Sequence, residues 1–135
     1  MPLLVDTGVL YALADASDAW HVRTRTYIES ARDTLLAPAT ILPEVAYLLH
    51  TRIGPHAERA FVRALADGEL AVENPSRRDW VRAWELMGDY DQIGMVDATV
   101  LAIVERLKLA TIATTDRRHF GVVKPAHVQG FILVP

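Results

Sequence analysis

The chain has 135 residues, 51% of them hydrophobic and 23% charged, with no cysteine. That length gives one domain over residues 1–135 with a buried core, and the composition excludes a disordered chain, a disulfide framework and any thiolate site. Fourteen Lys and Arg against 17 Asp and Glu leave a net charge of −3, which excludes a polybasic nucleic-acid arm but not an enzyme whose acids are gathered in one place. From the N-terminus, Leu3-Leu4-Val5 reads as a short buried strand that stops at Asp6-Thr7-Gly8. Helices are expected from about Val9 to Ala14 and from about Ala19 to Ala31, then a strand from Thr34 to Ala37 closed by Pro38. Thr40 is placed to cap a helix running to about Arg52, with Pro43 tolerated in its first turn. Gly54-Pro55 punctuates and opens a helix to about Asp67, followed by a strand from Glu69 to Glu73. Ser76 caps a helix ending near Gly88, and a polar loop leads to the most regular helix, about Asp97 to Lys108. Leu109–Thr114 and Phe131–Val134 complete the strands. Strands separated by helices of this length need crossover connections, so the expected fold is α/β with a mainly parallel sheet of about five strands.

In such sheets ligands bind beyond the carboxyl ends of the strands. Two of the expected strands end in an acid there, Asp6 and Asp116. Each either caps the adjoining helix or turn or belongs to a site, and Asp does both well. Asp97 lies four residues before Leu101 and seven before Val104, on the helical stripe that should be buried. A carboxylate there costs several kcal/mol unless something satisfies it, or unless it only caps the helix. Glu44, one turn before Leu48, poses the same question, although a first-turn Glu also suits the helix dipole. Four acids brought together stay ionised only beside cations. Carboxylates without His or Cys partners prefer the hard ions Mg²⁺ or Mn²⁺, which suit phosphodiester hydrolysis.

Leu3-Leu4-Val5-Asp6-Thr7, Glu44 in its helix, Val96-Asp97-Ala98-Thr99 and Thr114-Thr115-Asp116-Arg117-Arg118-His119-Phe120 together resemble the PIN-domain ribonucleases. Within that family the chain is most similar to the VapC-type toxins of toxin–antitoxin modules, over essentially its whole length. The resemblance implies a three-layer α/β/α fold and a carboxylate-rich Mg²⁺ site, with Mn²⁺ as the alternative ion. It implies Asp6 and Asp97 as central metal ligands, Asp116 as a third and Glu44 as the fourth acid. Thr7 and Thr115 match supporting hydroxyl positions. It further implies cleavage of structured RNA (tRNA or ribosomal RNA), a homodimer, and silencing by a cognate VapB-type antitoxin. The chain departs from the pattern at Gly8, where the family often has Ser. Asp91, Asp18 and His21 also recur in related sequences; Asp91 is read as a structural or loop-capping residue and His21 as a polar contact at the rim.

Twelve of the 14 basic residues are Arg, the side chain suited to bidentate phosphate contacts. Arg117 and Arg118, directly after Asp116, are the candidates for RNA binding, with His119 beside them. Arg77, Arg78 and Arg82 read as a solvated helix face. The helices around Tyr47 and Phe61 are core first, with any surplus apolar surface left for an antitoxin helix or a dimer partner. Asp6-Thr7-Gly8 also matches the short signature of aspartic proteases, but those are all-β. A phosphorylation-receiver domain would share Lys124-Pro125, yet needs an Asp at the end of a middle strand, and no Asp stands between Asp33 and Asp67. No Gly-x-Gly or Walker-type loop supports nucleotide binding. The remaining rival is a PIN fold that binds RNA or protein without cutting. The opening MPLLVDTGVL lacks a signal peptide's basic n-region and no apolar run reaches the ~18 residues of a membrane span, so a soluble cytoplasmic protein is expected.

Overall fold

The computed structural model describes residues 2–116, 120, 123, 126–127 and 130–135. The strands are β1 (Leu3–Val5), β2 (Leu35–Pro38), β3 (Leu70–Glu73), β4 (Thr111–Ala113) and β5 (Ile132–Val134). The helices are α1 (Thr7–Ala14), α2 (His21–Ala31), α3 (Leu42–Arg52), α4 (Pro55–Ala66), α5 (Arg77–Asp89) and α6 (Met95–Leu107). A short 3-10 turn, Ala39–Ile41, leads from β2 into α3. The strands form one sheet in the order β3-β2-β1-β4-β5, and every pairing is parallel.

That order fixes the layers. The chain steps outward from β1 to β2 to β3, then jumps back across to β4 on the other side of β1. Right-handed crossovers therefore lay α1 to α4 on one face and α5 with α6 on the other. The packing agrees: α1 touches α2 and α3, α3 touches α4, and α5 lies along α6. This is the expected three-layer α/β/α arrangement, with the sheet buried between. The core is built from Leu4, Val5, Val9, Leu101, Ile103 and Ile112, all fully buried. Because the winding direction reverses between β1 and β4, the segments leaving those two strands diverge to opposite faces and leave a crevice between them.

Several ends differ from the sequence expectations. Thr40 caps nothing: the 3-10 turn intervenes, and α3 starts without a side-chain cap. The last long helix starts at Met95 behind Gly94, two residues before the expected position, so Asp97 sits inside the first turn and is not the cap. Pro38 pairs with Glu73 as the last residue of β2, where the sequence reading had closed the strand before it. Ser76 caps α5 as expected, in a reciprocal box with Asp79. Arg82 is not part of a solvated face, because it forms a two-pronged pair with Glu105 of α6 (2.7 and 3.1 Å). Among the described residues no helix is long and apolar enough to cross a membrane.

Candidate active site

β1 and β4 are register-paired through Val5 and Ala113, and the Asp6 amide continues the ladder to the Ala113 carbonyl (3.1 Å). The residues just beyond, Asp6 and Thr114, therefore emerge side by side. Asp6 carries both roles the sequence left open. Its Oδ1 accepts from the Val9 amide at the start of α1 (3.0 Å), and its Oδ2 accepts from the Thr114 hydroxyl. The same Thr114 hydroxyl accepts from the Asp116 amide (2.9 Å), so one fully buried side chain sets the spacing of two acids. Sequence reasoning assigned the supporting role to Thr7 and Thr115 and missed Thr114. The signal available was its position, since the residue in register with Asp6 had to face it.

Glu44 projects from the first turn of α3, and Asp97 from the first turn of α6. These helices lie on opposite faces, and a pair of hydroxyls links them. Thr99 donates to the Val96 carbonyl (2.7 Å) and accepts from Thr40 (2.8 Å), which joins the turn before α3 to the first turns of α6. The result is one cavity of about 480 Å³ whose lining includes Asp6, Glu44, Asp97 and Asp116 together with Thr7 and Thr115. All four acids named from the sequence reach it from four separate elements. Arg117, Arg118 and His119 lie outside the described residues. Asp91 is exposed, is not part of the cavity and makes no hydrogen bond among the described residues, so it caps no loop. His21 binds the Ala12 carbonyl through Nδ1 (2.7 Å), and Asp18 accepts from the Trp20 amide (2.8 Å); both tie the α1–α2 turn and neither faces the acids.

The electrostatics derive from burial and crowding. Asp6 is 7% exposed, and its pKa rises from 3.8 to about 6. Loss of hydration is the largest cause, and the negative charges of Asp97 and Asp116 add to it. Hydrogen bonds from Thr114 and the Val9 amide oppose the rise without cancelling it. A desolvated carboxylate facing two others is a site short of positive charge. The donors are all oxygens, which fits a hard divalent cation. The acids line the cavity without being drawn into a ready coordination sphere: among the described residues no three His, Cys, Asp or Glu side chains are grouped to hold one ion.

A second cavity, about 460 Å³ and mostly apolar, lies elsewhere, between α1, α4 and the starts of β2 and β3. Phe61, which the sequence left open as core or surplus, is half-buried in its lining, while Tyr47 on α3 stands 66% exposed.

Comparison with known proteins agrees with the fold. The PIN-domain family model matches residues 3–124. Ribonuclease VapC26 of Mycobacterium tuberculosis is 32% identical over 135 residues, covering 98% of this chain and 100% of the relative. The crystal structure of M. tuberculosis VapC20, described as a toxin that cleaves the sarcin-ricin loop, superposes with a TM-score of 0.80 at 24% identity, over 94% of this chain and 98% of that one. A toxin–antitoxin complex from Klebsiella pneumoniae matches with a TM-score of 0.72 at 20% identity, over 90% and 92%. A full-length relative above 30% identity, a family match over most of the chain and a shared fold lead to one assignment: the chain belongs to the PIN-domain family, in its VapC branch.

Proposed function

We propose that the chain is a Mg²⁺- or Mn²⁺-dependent endoribonuclease that cuts structured RNA, tRNA or ribosomal RNA, as the toxin of a type II toxin–antitoxin pair. The observation that carries the reading is the convergence of Asp6, Glu44, Asp97 and Asp116 on one cavity at the sheet's reversal point. The names of VapC26 as a ribonuclease and of VapC20 as a toxin cleaving an RNA loop support the substrate class.

Asp6, Asp97 and Asp116 would hold the cation, with Glu44 assisting from the rim. A bound Mg²⁺ or Mn²⁺ polarises phosphoryl oxygens and lowers the pKa of water, the two services that phosphodiester hydrolysis needs. The protein's own part is positional. Asp6 is fixed through both carboxylate oxygens, so it offers its charge at a set point and not as a mobile group. Thr114 holds the Asp116 backbone next to it. Glu44, the exposed member of the four, is free to receive a proton from an attacking water or to take part in the cation's outer sphere. Arg117 and Arg118 are proposed to grip the RNA backbone, which draws a polyanion towards an acidic cavity that would otherwise repel it.

The partners belong to the same proposal: a cognate VapB-type antitoxin, a homodimer and a cytoplasmic location. The Klebsiella toxin–antitoxin complex supports the first. The apolar groove between α1 and α4 is a suitable seat for an amphipathic antitoxin segment.

The test is cleavage of total cellular RNA with 5′-end mapping, comparing wild type with Asp97→Asn in Mg²⁺, Mn²⁺ or chelator. Discrete cuts made only by wild type, and only with metal, are expected. The Asp97→Asn protein should remain folded, since the change relieves repulsion among the acids. Metal-dependent cutting by Asp97→Asn at the wild-type rate would remove Asp97 from the site. A folded wild-type protein that binds neither Mg²⁺ nor Mn²⁺ would leave a binding module as the surviving reading.

A further inference from the structure

Thr99 is the one polar side chain in the run Ala98–Val104, which is buried throughout on α6. Valine has nearly the same shape and needs no partner there, whereas a buried hydroxyl must find one. Thr99 has two. A hydroxyl carries a single proton, and that of Thr99 goes to the Val96 carbonyl (2.7 Å), so Thr40 is the donor in the 2.8 Å bond between the two threonines. This accounts for Thr40 capping no helix: its proton is used on α6, 59 positions away. The relay stands directly behind the acids. Thr40 is four residues before Glu44, and Thr99 two after Asp97. Their neighbours Ile41, Val96 and Val100 line the acid cavity while the two threonines do not, so the hydroxyls act from behind its wall and through other residues.

We infer that Thr40 and Thr99 are positioning residues, whose hydroxyl relay ties the turn that starts α3 to the first turns of α6 and so sets the span between Glu44 and Asp97. The inference rests on the metal reading above and concerns two residues that reading does not use. α3 and α6 lie on opposite faces of the sheet, so the packing of each helix on its own face does not couple the two acids. The relay does, and it meets α6 at the turn that carries Asp97. Such a tie matters because the chemistry tolerates little error in placement: a shift of about 1 Å can cost about a hundredfold in rate.

The test is Mn²⁺ binding by titration calorimetry, with circular dichroism melts as the folding control. The proteins are wild type, the Val and Ser variants of Thr40 and of Thr99, Glu44→Gln, and the Thr40→Val/Glu44→Gln double variant. Valine removes the hydroxyl and keeps the shape, whereas serine keeps the hydroxyl. Loss of the one hydrogen bond corresponds to about fivefold weaker binding, expected in Thr40→Val and Thr99→Val alike. Serine at either position should restore the wild-type affinity. In the Glu44→Gln background Thr40→Val should add no further loss, because the relay acts by holding Glu44 to a cation on Asp97. General damage to the helices would instead give additive losses. Wild-type affinity in either valine variant, failure of serine to restore it, or additive losses in the double variant would overturn the inference. If Thr99→Val does not fold, the variants of half-buried Thr40 decide it alone. Failure of folded wild type to bind Mn²⁺ overturns the metal reading itself, an outcome separate from an unchanged Thr40→Val.

Discussion

The Asp6 carboxyl titrates near 6 and not near 3.8, first because burial strips its hydration and then because Asp97 and Asp116 face it. Between those two values the folded chain holds a proton that the unfolded chain has released, so stability falls as pH rises through this window. Above it both states are ionised and the folded state carries the whole penalty, on the order of 3 kcal/mol. Metal-free protein should therefore lose stability from this group between about pH 4 and pH 6. Asp6→Asn keeps an acceptor for the Val9 amide and removes the charge, so it should be more stable than wild type at pH 7.5, with the gap closing towards pH 4. Thermal melts of both proteins across that range check it; parallel stability curves would mean that Asp6 ionises without cost. Saturating Mg²⁺ should raise the wild-type melting temperature at pH 7.5 and much less at pH 5, where proton and cation compete for the same oxygens.

At the scale of elements, Asp97 is only as well placed as α6, and α6 is held along its outer side by α5. Asp79, 2% exposed, accepts from the Ser76 amide (2.8 Å) that begins α5 and from Arg106 Nε (3.0 Å) near the end of α6. Arg106 also reaches Glu73 of β3 (2.8 Å), and Arg82 holds Glu105. Removing the Asp79 carboxylate deletes one half of the capping box, the bond from the Ser76 amide, and leaves a guanidinium without one of its partners. Asp79→Ala should cost roughly 2–4 kcal/mol in urea unfolding, against less than ~0.5 for exposed Arg77→Ala. An Asp79→Ala protein as stable as Arg77→Ala would show that the ion pairs contribute nothing to holding α5. Half of this device was legible in the sequence, because Ser76 and Asp79 are three residues apart and a capping box is local. The other half was not, since Arg82 and Glu105 are 23 positions apart and nothing short of the packed helices brings them together. The same division separates Asp6 from Thr114. That Asp6 ends a strand could be read from Leu3-Leu4-Val5, but its partner lies 108 residues on and is set by sheet order. Boundaries failed where no side chain marks them, as at Gly94, which starts α6 without a capping side chain.

At the scale of the whole molecule, the acid cavity and the apolar groove stand apart. The acid cavity opens where β1 and β4 part, while the apolar groove runs between α1 and α4, and the two have no lining residue in common. They share elements: Leu48 of α3 borders the first and Leu49 the second, and α1 presents Gly8 to one and Leu10 to the other. A segment seated in the groove would therefore touch α1 and α3 without contacting the acids directly. Ala60 of α4 is exposed on the groove wall, so a longer polar side chain there reaches solvent in the isolated protein and leaves the fold intact. Once an amphipathic antitoxin segment covers the groove, the same side chain is trapped against apolar surface, and a carboxylate so trapped is costly. Ala60→Glu should thus leave metal-dependent RNA cutting at the wild-type level while weakening antitoxin binding by at least roughly tenfold. Titrating the cognate antitoxin into the cleavage assay reads both quantities in one experiment. Unchanged inhibition of Ala60→Glu would place the antitoxin elsewhere on the surface, and lost cleavage would mean that α4 and the acid cavity are coupled more tightly than their separate linings imply.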